Sequence, residues 1–250
     1  MSAALQTINL EKRFGGLVAT DKVSFTLRHG ARHALIGPNG AGKTTFVNLL
    51  TGVMSSNGGQ ILLDGEDITN KTQTQRARRG LGRTFQINQL FGEMTPIETI
   101  GLAVCGRMGG GGDFWRRMGS RVDIFDEIIG LLKRFRLIDV MDQPTKSLPY
   151  GKQRLLEIAL ALASNPRVLL LDEPAAGVPE AERDELLKTL ADLPRDVSIL
   201  LIEHDMDLVF AFADHITVLV NGTLFADGTV EAIIADPRVQ EVYLGSEDHG

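Results

Sequence analysis

The sequence predicts an α/β protein with a parallel-sheet core interrupted by a helical insertion. Three observations carry that expectation. Short strand-like runs fill the first third of the chain, helical periodicity takes over from about residue 86, and strands alternating with helices return after residue 166.

In the first third, TINLEKRF, VSFTL, ARHALI and QILLDG are bounded by turn formers such as Arg28-His29-Gly30. ARHALI runs into a glycine-rich turn and then into TTFVNLL, whose Phe46, Leu49 and Leu50 share one face at helical spacing, with Gly52 as a C-terminal stop. The stretch QRARRGLGR, residues 75 to 83, carries four arginines and is expected to be a solvated loop. The middle reads as helices through PIETIGLAV, VDIFDEIIGLLKRF and QRLLEIALALA, with the glycine run at 106–119 as a connector. RVLLLDE, a helix over about 180 to 193, SILLIEH, another helix and HITVLVNG then rebuild the alternating pattern. The tail VEAIIADPRVQEVYLG reads as one or two short helices.

Composition narrows the class. A chain of 250 residues, 43% hydrophobic and 23% charged, is long enough for one domain with a sub-domain and ordinary in its balance. The net charge of −6 argues against nucleic acid as the main partner, because no overall positive field draws in a phosphate backbone. The single cysteine, Cys105, cannot form an internal disulfide, which suits a reducing cytoplasm. The N-terminus shows no signal-peptide core. Apolar runs such as VLLL (168–171) and IALALA (158–163) fall short of the roughly 20 residues that span a bilayer. Any membrane role is therefore expected to run through a partner.

The chemistry is concentrated in ALIGPNGAGKTTFVNLLTG, residues 34 to 52. Gly37, Gly42, Lys43 and Thr44 match the spacing G-x-x-x-x-G-K-[ST]. Such a loop turns successive backbone N–H groups onto phosphate oxygens, and side chains at the glycines would block the approach. Lys43 would reach the β- and γ-phosphates, the Thr44 hydroxyl would hold Mg²⁺, and the helix N-terminus adds a favourable dipole. RVLLLDEP suits a buried parallel strand ending at the ligand, with Asp172 on Mg²⁺ through water. Glu173 is expected on the opposite face by strand alternation, where it would orient or deprotonate an attacking water. LPYGKQRLLEIALALA places Gly151 at the start of an amphipathic helix, and LLIEHD places His204 at a strand end. Gln86, in RTFQ where sheet gives way to helices, is uninformative alone.

Together these residues resemble the ATPase subunit of an ATP-binding-cassette transporter, and the resemblance covers essentially the whole chain. The family's order is reproduced: an aromatic Phe14 in KRFGG, Walker A at 37–44, Gln86, a signature at 148–153, Walker B at 168–173 and His204. RTFQINQLF, LPYGKQRLLEIA, DEPAAG, LLIEHDM and DPRVQEVYLG look most like the branched-chain amino acid uptake type. The resemblance implies a P-loop NTPase (RecA-like) parallel core with an N-terminal antiparallel β sub-domain. It implies a single domain over 1–250, a helical sub-domain over about 88–163 and a helical tail over about 229–245.

It also implies ATP hydrolysis with ATP and Mg²⁺. Phe14, Gly37, Pro38, Asn39, Gly40, Ala41, Gly42, Lys43, Thr44 and Thr45 would hold the nucleotide, joined across a head-to-tail dimer by Tyr150, Gly151, Lys152 and Gln153. Thr44, Gln86 and Asp172 would serve Mg²⁺, and Glu173, His204, Gln86 and Lys43 would serve catalysis. The implied partners are transmembrane permease subunits, a second ATPase subunit of the same or a homologous chain and, indirectly, a periplasmic binding protein; nucleic acid is not among them. The implied place is the cytoplasmic face of the inner membrane. Leu90, Phe91, Met94 and Ile97 would form the groove that receives the permease. The chain departs from the family pattern at Pro149, where serine is usual, and at Pro179, where aspartate or asparagine is usual. The alternatives are a soluble cassette ATPase acting on DNA or ribosomes, an exporter ATPase, and a nucleotide-dependent module without turnover.

Overall fold

Apolar runs place β7 (Val168–Asp172) and β8 (Ser198–Ile202) in the interior, and in the computed structural model both, together with β3 (Arg32–Ile36), are buried at every position. The structure describes residues 2–84, 90–108 and 122–244. The described residues form two compact units, one from the stretches up to Arg83, Arg167–Glu173 and from Pro194 on, the other from Thr84–Pro166 and Pro174–Leu193.

The first unit holds two sheets. β1 (Ala3–Phe14), β2 (Leu17–Arg28), β4 (Gly58–Leu63) and β5 (Glu66–Asp67) make an antiparallel sheet in the order β2-β1-β4-β5. The second sheet adds β6 (Leu81–Arg83), β9 (His215–Val220) and β10 (Thr223–Thr229), in the order β10-β9-β3-β8-β7-β6. Its pairings are parallel except at the edge, where β10 returns antiparallel on β9. β10 was not expected from the sequence, although Asn221-Gly222, with φ of 50° and 75°, is a hairpin signal.

Strand alternation divides the core. Leu35, Leu170 and Leu200 face a cluster shared with Leu5, Phe25, Ile61 and helix α1 (Lys43–Thr51), which contributes Phe46, Val47, Leu49 and Leu50. Ala34, Ile36, Ile216 and Val218 belong to a separate cluster with Val209, Ile233 and Val239. The helix α1 stops at Gly52, whose φ of 77° is the left-handed cap the sequence predicts.

The arginine-rich stretch is not the solvated loop expected of it. Gln73–Arg78 is a helix (α2) opened by a Thr72/Gln75 capping box, and Leu81–Arg83 is β6. Arg76 is 2% exposed. Its Nη1 donates to the carbonyls of Leu49 and Leu50 at 2.6 and 2.7 Å, and Nη2 to that of Thr69 at 2.7 Å. A cation there satisfies the orphan carbonyls at the end of α1 and complements its dipole. Charge count alone could not reveal this, because the partners are backbone carbonyls.

The second unit is helical. α3 (Pro96–Arg107) starts at a Thr95/Glu98 capping box, and α4 (Val122–Arg134) buries Ile124, Ile128, Leu131 and Leu132 on one stripe. α5 (Tyr150–Ala163) packs on α3 and on α6 (Glu180–Ala191). Back in the first unit, α7 (Met206–Phe212), α8 (Val230–Ile234) and α9 (Pro237–Leu244) complete the described chain, the last two being the short tail helices expected. Most of the glycine-rich connector lies outside the described residues. Among the described residues, no helix is long and apolar enough to cross a membrane.

A polar cluster sits on β3, β9 and β10. His33, 2% exposed, meets the Phe25 ring edge-on at 4.9 Å and places Nε2 2.7 Å from Thr217 Oγ1. The Thr217 hydroxyl donates to Asp227, which His215 Nε2 also approaches at 3.0 Å. Burial first, then His215, lowers the His33 pKa from 6.5 to about 3; Arg28 adds to this and Asp227 opposes it. Folded His33 therefore stays neutral where the unfolded residue takes a proton. Its contribution is complete above about pH 6.5 and is lost as pH falls toward 3, with a slope of at most about 1.4 kcal/mol per pH unit. In denaturant titrations between pH 7.5 and 5, His33→Gln should lose less stability on acidification than the wild type. Parallel curves would remove His33 as the source.

Candidate nucleotide site

The loop that follows β3 is shaped by close approach. A Cβ on Gly37 would lie 2.2 Å from the Leu219 carbonyl oxygen of β9, and one on Gly42, at φ 97°, would lie 2.5 Å from that of Ala19 in β2. No side chain fits at either place, so the turn demands glycine. Gly42 caps α1 without a side-chain hydrogen bond, and no acid stands in the first turn, which leaves that helix end suited to an external anion.

Lys43 Nζ donates to the carbonyls of Gly37 and Pro38, at 2.5 and 3.1 Å, so the ammonium stays within the loop. Burial lowers its pKa and Glu173 raises it. A cavity of about 430 Å³ opens over the loop. Its wall includes Phe14, Leu17 and Val18, and its floor runs from Asn39 through Gly40, Ala41, Gly42, Lys43, Thr44 and Thr45, with Glu173 at the side. Phe14 is 45% exposed, with Lys12 Nζ 5.3 Å from its ring centre. The cavity thus offers an aromatic wall for a flat ring and N–H groups with a cation for phosphates.

β7 delivers the two acids differently from the expectation. Asp172 ends the strand, 4% exposed, with Oδ2 2.7 Å from Arg83 Nη2. Glu173 is not a further pleat of the strand: its φ is 46°, and its N–H donates to the Ile202 carbonyl at 2.9 Å. A left-handed turn, and not strand alternation, aims this carboxylate at the cavity. His204, past the end of β8, brings Nδ1 to 3.7 Å from Glu173 Oε1. Sequence reasoning missed Glu203, which is 2% exposed and accepts the N–H groups of His204 and Asp205 at 3.0 and 3.3 Å. Its only signal was an acid directly before the histidine.

Tyr150, Gly151, Lys152 and Gln153 lie in the second unit, in the first turn of α5 behind Pro149. Each has a partner within that unit. Gly151 N–H donates to Glu182 Oε2 at 2.6 Å, Lys152 Nζ to the Arg136 carbonyl at 2.6 Å, and Gln153 Nε2 to the Leu148 carbonyl at 2.9 Å. Tyr150 Oη is 3.4 Å from the Ala176 carbonyl, and Pro179 caps α6. Gln86 lies outside the described residues.

A phosphate loop between β3 and α1, with two acids at the end of a parallel strand, defines a P-loop nucleotide-binding protein. A family model described as ABC transporter matches residues 20–176, and one described as branched-chain amino acid ATP-binding cassette transporter matches residues 223–249. The chain belongs to the ABC transporter family. It is 42% identical to the high-affinity branched-chain amino acid transport ATP-binding protein LivG of Salmonella typhimurium, over 98% of this chain and 99% of that one. It is 41% identical to BraF, the protein of the same description from Pseudomonas aeruginosa, over 96% and 97%. Among solved structures, it is similar to an ATP-binding cassette of an ABC transporter in its ADP conformation, with TM-score 0.82, 31% identity and coverage of 98% and 100%. The expectations of family, branched-chain type and fold class are borne out.

The two kinds of glycine can be told apart by substitution. Gly37→Ala forces a Cβ into backbone, whereas Gly40→Ala meets nothing within 4 Å and bears only the strain of φ 78°. The first should lower the melting temperature by several degrees more than the second, at about 2–4 °C per kcal/mol for a domain of this size. Equal shifts would show that the loop yields at Gly37.

Proposed function

We propose that this chain is the ATP-hydrolysing subunit of an ABC importer for branched-chain amino acids or a related small polar solute. The observation that carries the reading is the convergence of Phe14, Lys43, Thr44 and Glu173 on one cavity, with His204 3.7 Å from Glu173. The phosphate loop holds the triphosphate, with Lys43 as its point charge and Phe14 against the base. Glu173 takes a proton from the attacking water, and His204 contacts the γ-phosphate. Thr44 and Asp172 supply a hydroxyl and a carboxylate, hard oxygen donors that suit Mg²⁺, with Gln86 as a further contact. When bound, Mg²⁺ neutralises charge on the phosphates.

Further parts of the reading concern assembly. Tyr150, Gly151, Lys152 and Gln153 would complete the site of a second ATPase subunit, the same or a homologous chain, packed head to tail. Transmembrane permease subunits would seat this chain at the cytoplasmic face of the membrane, and a periplasmic binding protein would supply the solute. The names of the relatives and the absence of a spanning helix among the described residues support this reading.

Glu173→Gln tests the chemistry. It keeps size and hydrogen bonding but removes the base, so ATP should bind as in the wild type while steady-state phosphate release falls at least a hundredfold. Near-normal turnover would assign the water to another group.

Phe91 tests assembly. It is 67% exposed in the turn before α3, whereas Met94 and Ile97 are partly covered. Exposure removes the alternative of a core residue and suits an apolar docking contact. Phe91→Asp should leave ATP binding and the melting temperature of the isolated chain unchanged yet reduce co-purification with the permease subunits, since a charge would be desolvated without a partner. Full recovery of the complex would place the contact elsewhere.

A further inference from the structure

Arg83 ends β6, three residues before Gln86 in sequence, and its guanidinium is nearly enclosed, the side chain being 11% exposed. Nη2 donates to Asp172 Oδ2 at 2.7 Å, while Nη1 donates to Asn48 Oδ1 at 2.8 Å and lies 3.5 Å from Thr51 Oγ1. Asn48 stands four residues after Thr44 on α1, one turn further along the same face. One planar fork therefore joins the strand-end acid to the helix face that carries the loop's hydroxyl.

We propose that Arg83 is a positioning residue for the metal end of the site, holding the Asp172 carboxylate at a set angle and distance from Thr44. The proposal rests on the assignment of Thr44 and Asp172 to Mg²⁺. A guanidinium suits the task because its donors lie in one rigid plane and can serve two acceptors on different elements, whereas an ammonium is a single point charge. Its charge also answers the enclosure of Asp172, whose side chain is 5% exposed and would be costly to bury unpaired. A cation beside a metal ligand weakens the pull of that ligand on a second cation. What Arg83 adds is therefore direction. Two opposite outcomes follow: if it positions Asp172, its removal weakens metal binding; if it only competes for the carboxylate, its removal strengthens it.

The test uses the full chain in complex with ADP, with Mn²⁺ as a paramagnetic reporter followed by electron paramagnetic resonance. Arg83→Gln and Arg83→Lys should each weaken Mn²⁺ binding to the complex about tenfold or more, while ADP affinity in excess chelator stays within about twofold of the wild type. Asn48→Ala keeps the ion pair, removes the 2.8 Å bond of the fork to α1, and should weaken Mn²⁺ binding a fewfold; it decides the matter if the Arg83 variants fold poorly. Unchanged or tighter Mn²⁺ binding, or an equal loss of ADP affinity without metal, overturns the proposal. Asp172→Asn separates the two readings. If it leaves Mn²⁺ binding intact, the metal assignment itself fails; if it weakens Mn²⁺ binding while the Arg83 and Asn48 variants do not, only the role of Arg83 falls.

Discussion

The phosphate loop works only if its backbone amides face inward, and that requires the chain between β3 and α1 to lie against other backbone with no side chain between. The two close approaches are to different sheets: Gly37 fits under Leu219 of the parallel sheet and Gly42 under Ala19 of the antiparallel one. Gly222 closes the same junction, with its N–H on the Ala41 carbonyl at 2.9 Å and its carbonyl accepting from Asp21 N–H at 2.8 Å. The cavity lies where these strands meet, and for this reason its lining includes Ala19, Asn221 and Gly222 beside the loop itself. The antiparallel sheet thus forms part of the cavity wall as well as cover for α1.

Buried arginines hold what the glycines shape. Arg76 engages the last carbonyls of α1 while Arg83 bridges the same helix to Asp172, so two side chains brace the helix. Arg32 does similar work at the other end of the sheet, donating to the carbonyls of Val197 and Pro194 at 2.8 Å each; burial, then Arg195, brings its pKa down to about 10. Enclosing a guanidinium is costly unless its donors are met, and backbone carbonyls meet them without adding a second charge.

This explains the uneven legibility of the sequence. Residues 37 to 45 were readable because the phosphate loop is local: its chemistry depends on neighbours in the chain. The strand ending in Asp172 was readable for the same reason, as was the capped end of α1 at Gly52, but the left-handed turn at Glu173 was not. Arg76 and Arg83 were not, because a window of four arginines reads as solvated surface, and only folding supplies the carbonyls and the carboxylate that enclose them. Glu203 was hidden by its neighbour His204, whose role draws attention while the brace does not. The edge strand β10 carried an Asn-Gly signal that went unused, because its own residues, TLFADGT, lack an apolar run. The signature side chains were correctly placed at a helix start, yet their partners Glu182 and Arg136 come from other elements.

Glu173 shows how a local conformation can set a site. A left-handed residue other than glycine costs about 1–2 kcal/mol, so something must hold it there. The Ile202 carbonyl does, by accepting the Glu173 N–H at 2.9 Å. Ile202 ends β8, and the chain beyond it carries His204, whose own N–H is tied back to Glu203. The bond that stabilises the unfavourable φ therefore also ties together the two strand ends that bear the carboxylate and the imidazole. The register of β7 on β8, with Asp172 opposite Ile202, sets side by side the strand ends from which these two side chains extend, and their Nδ1 and Oε1 lie 3.7 Å apart. A slip in that register would displace Glu173 and His204 relative to each other while leaving the phosphate loop in place. The parallel pairing of two buried apolar strands is in this sense what brings the carboxylate and the imidazole together.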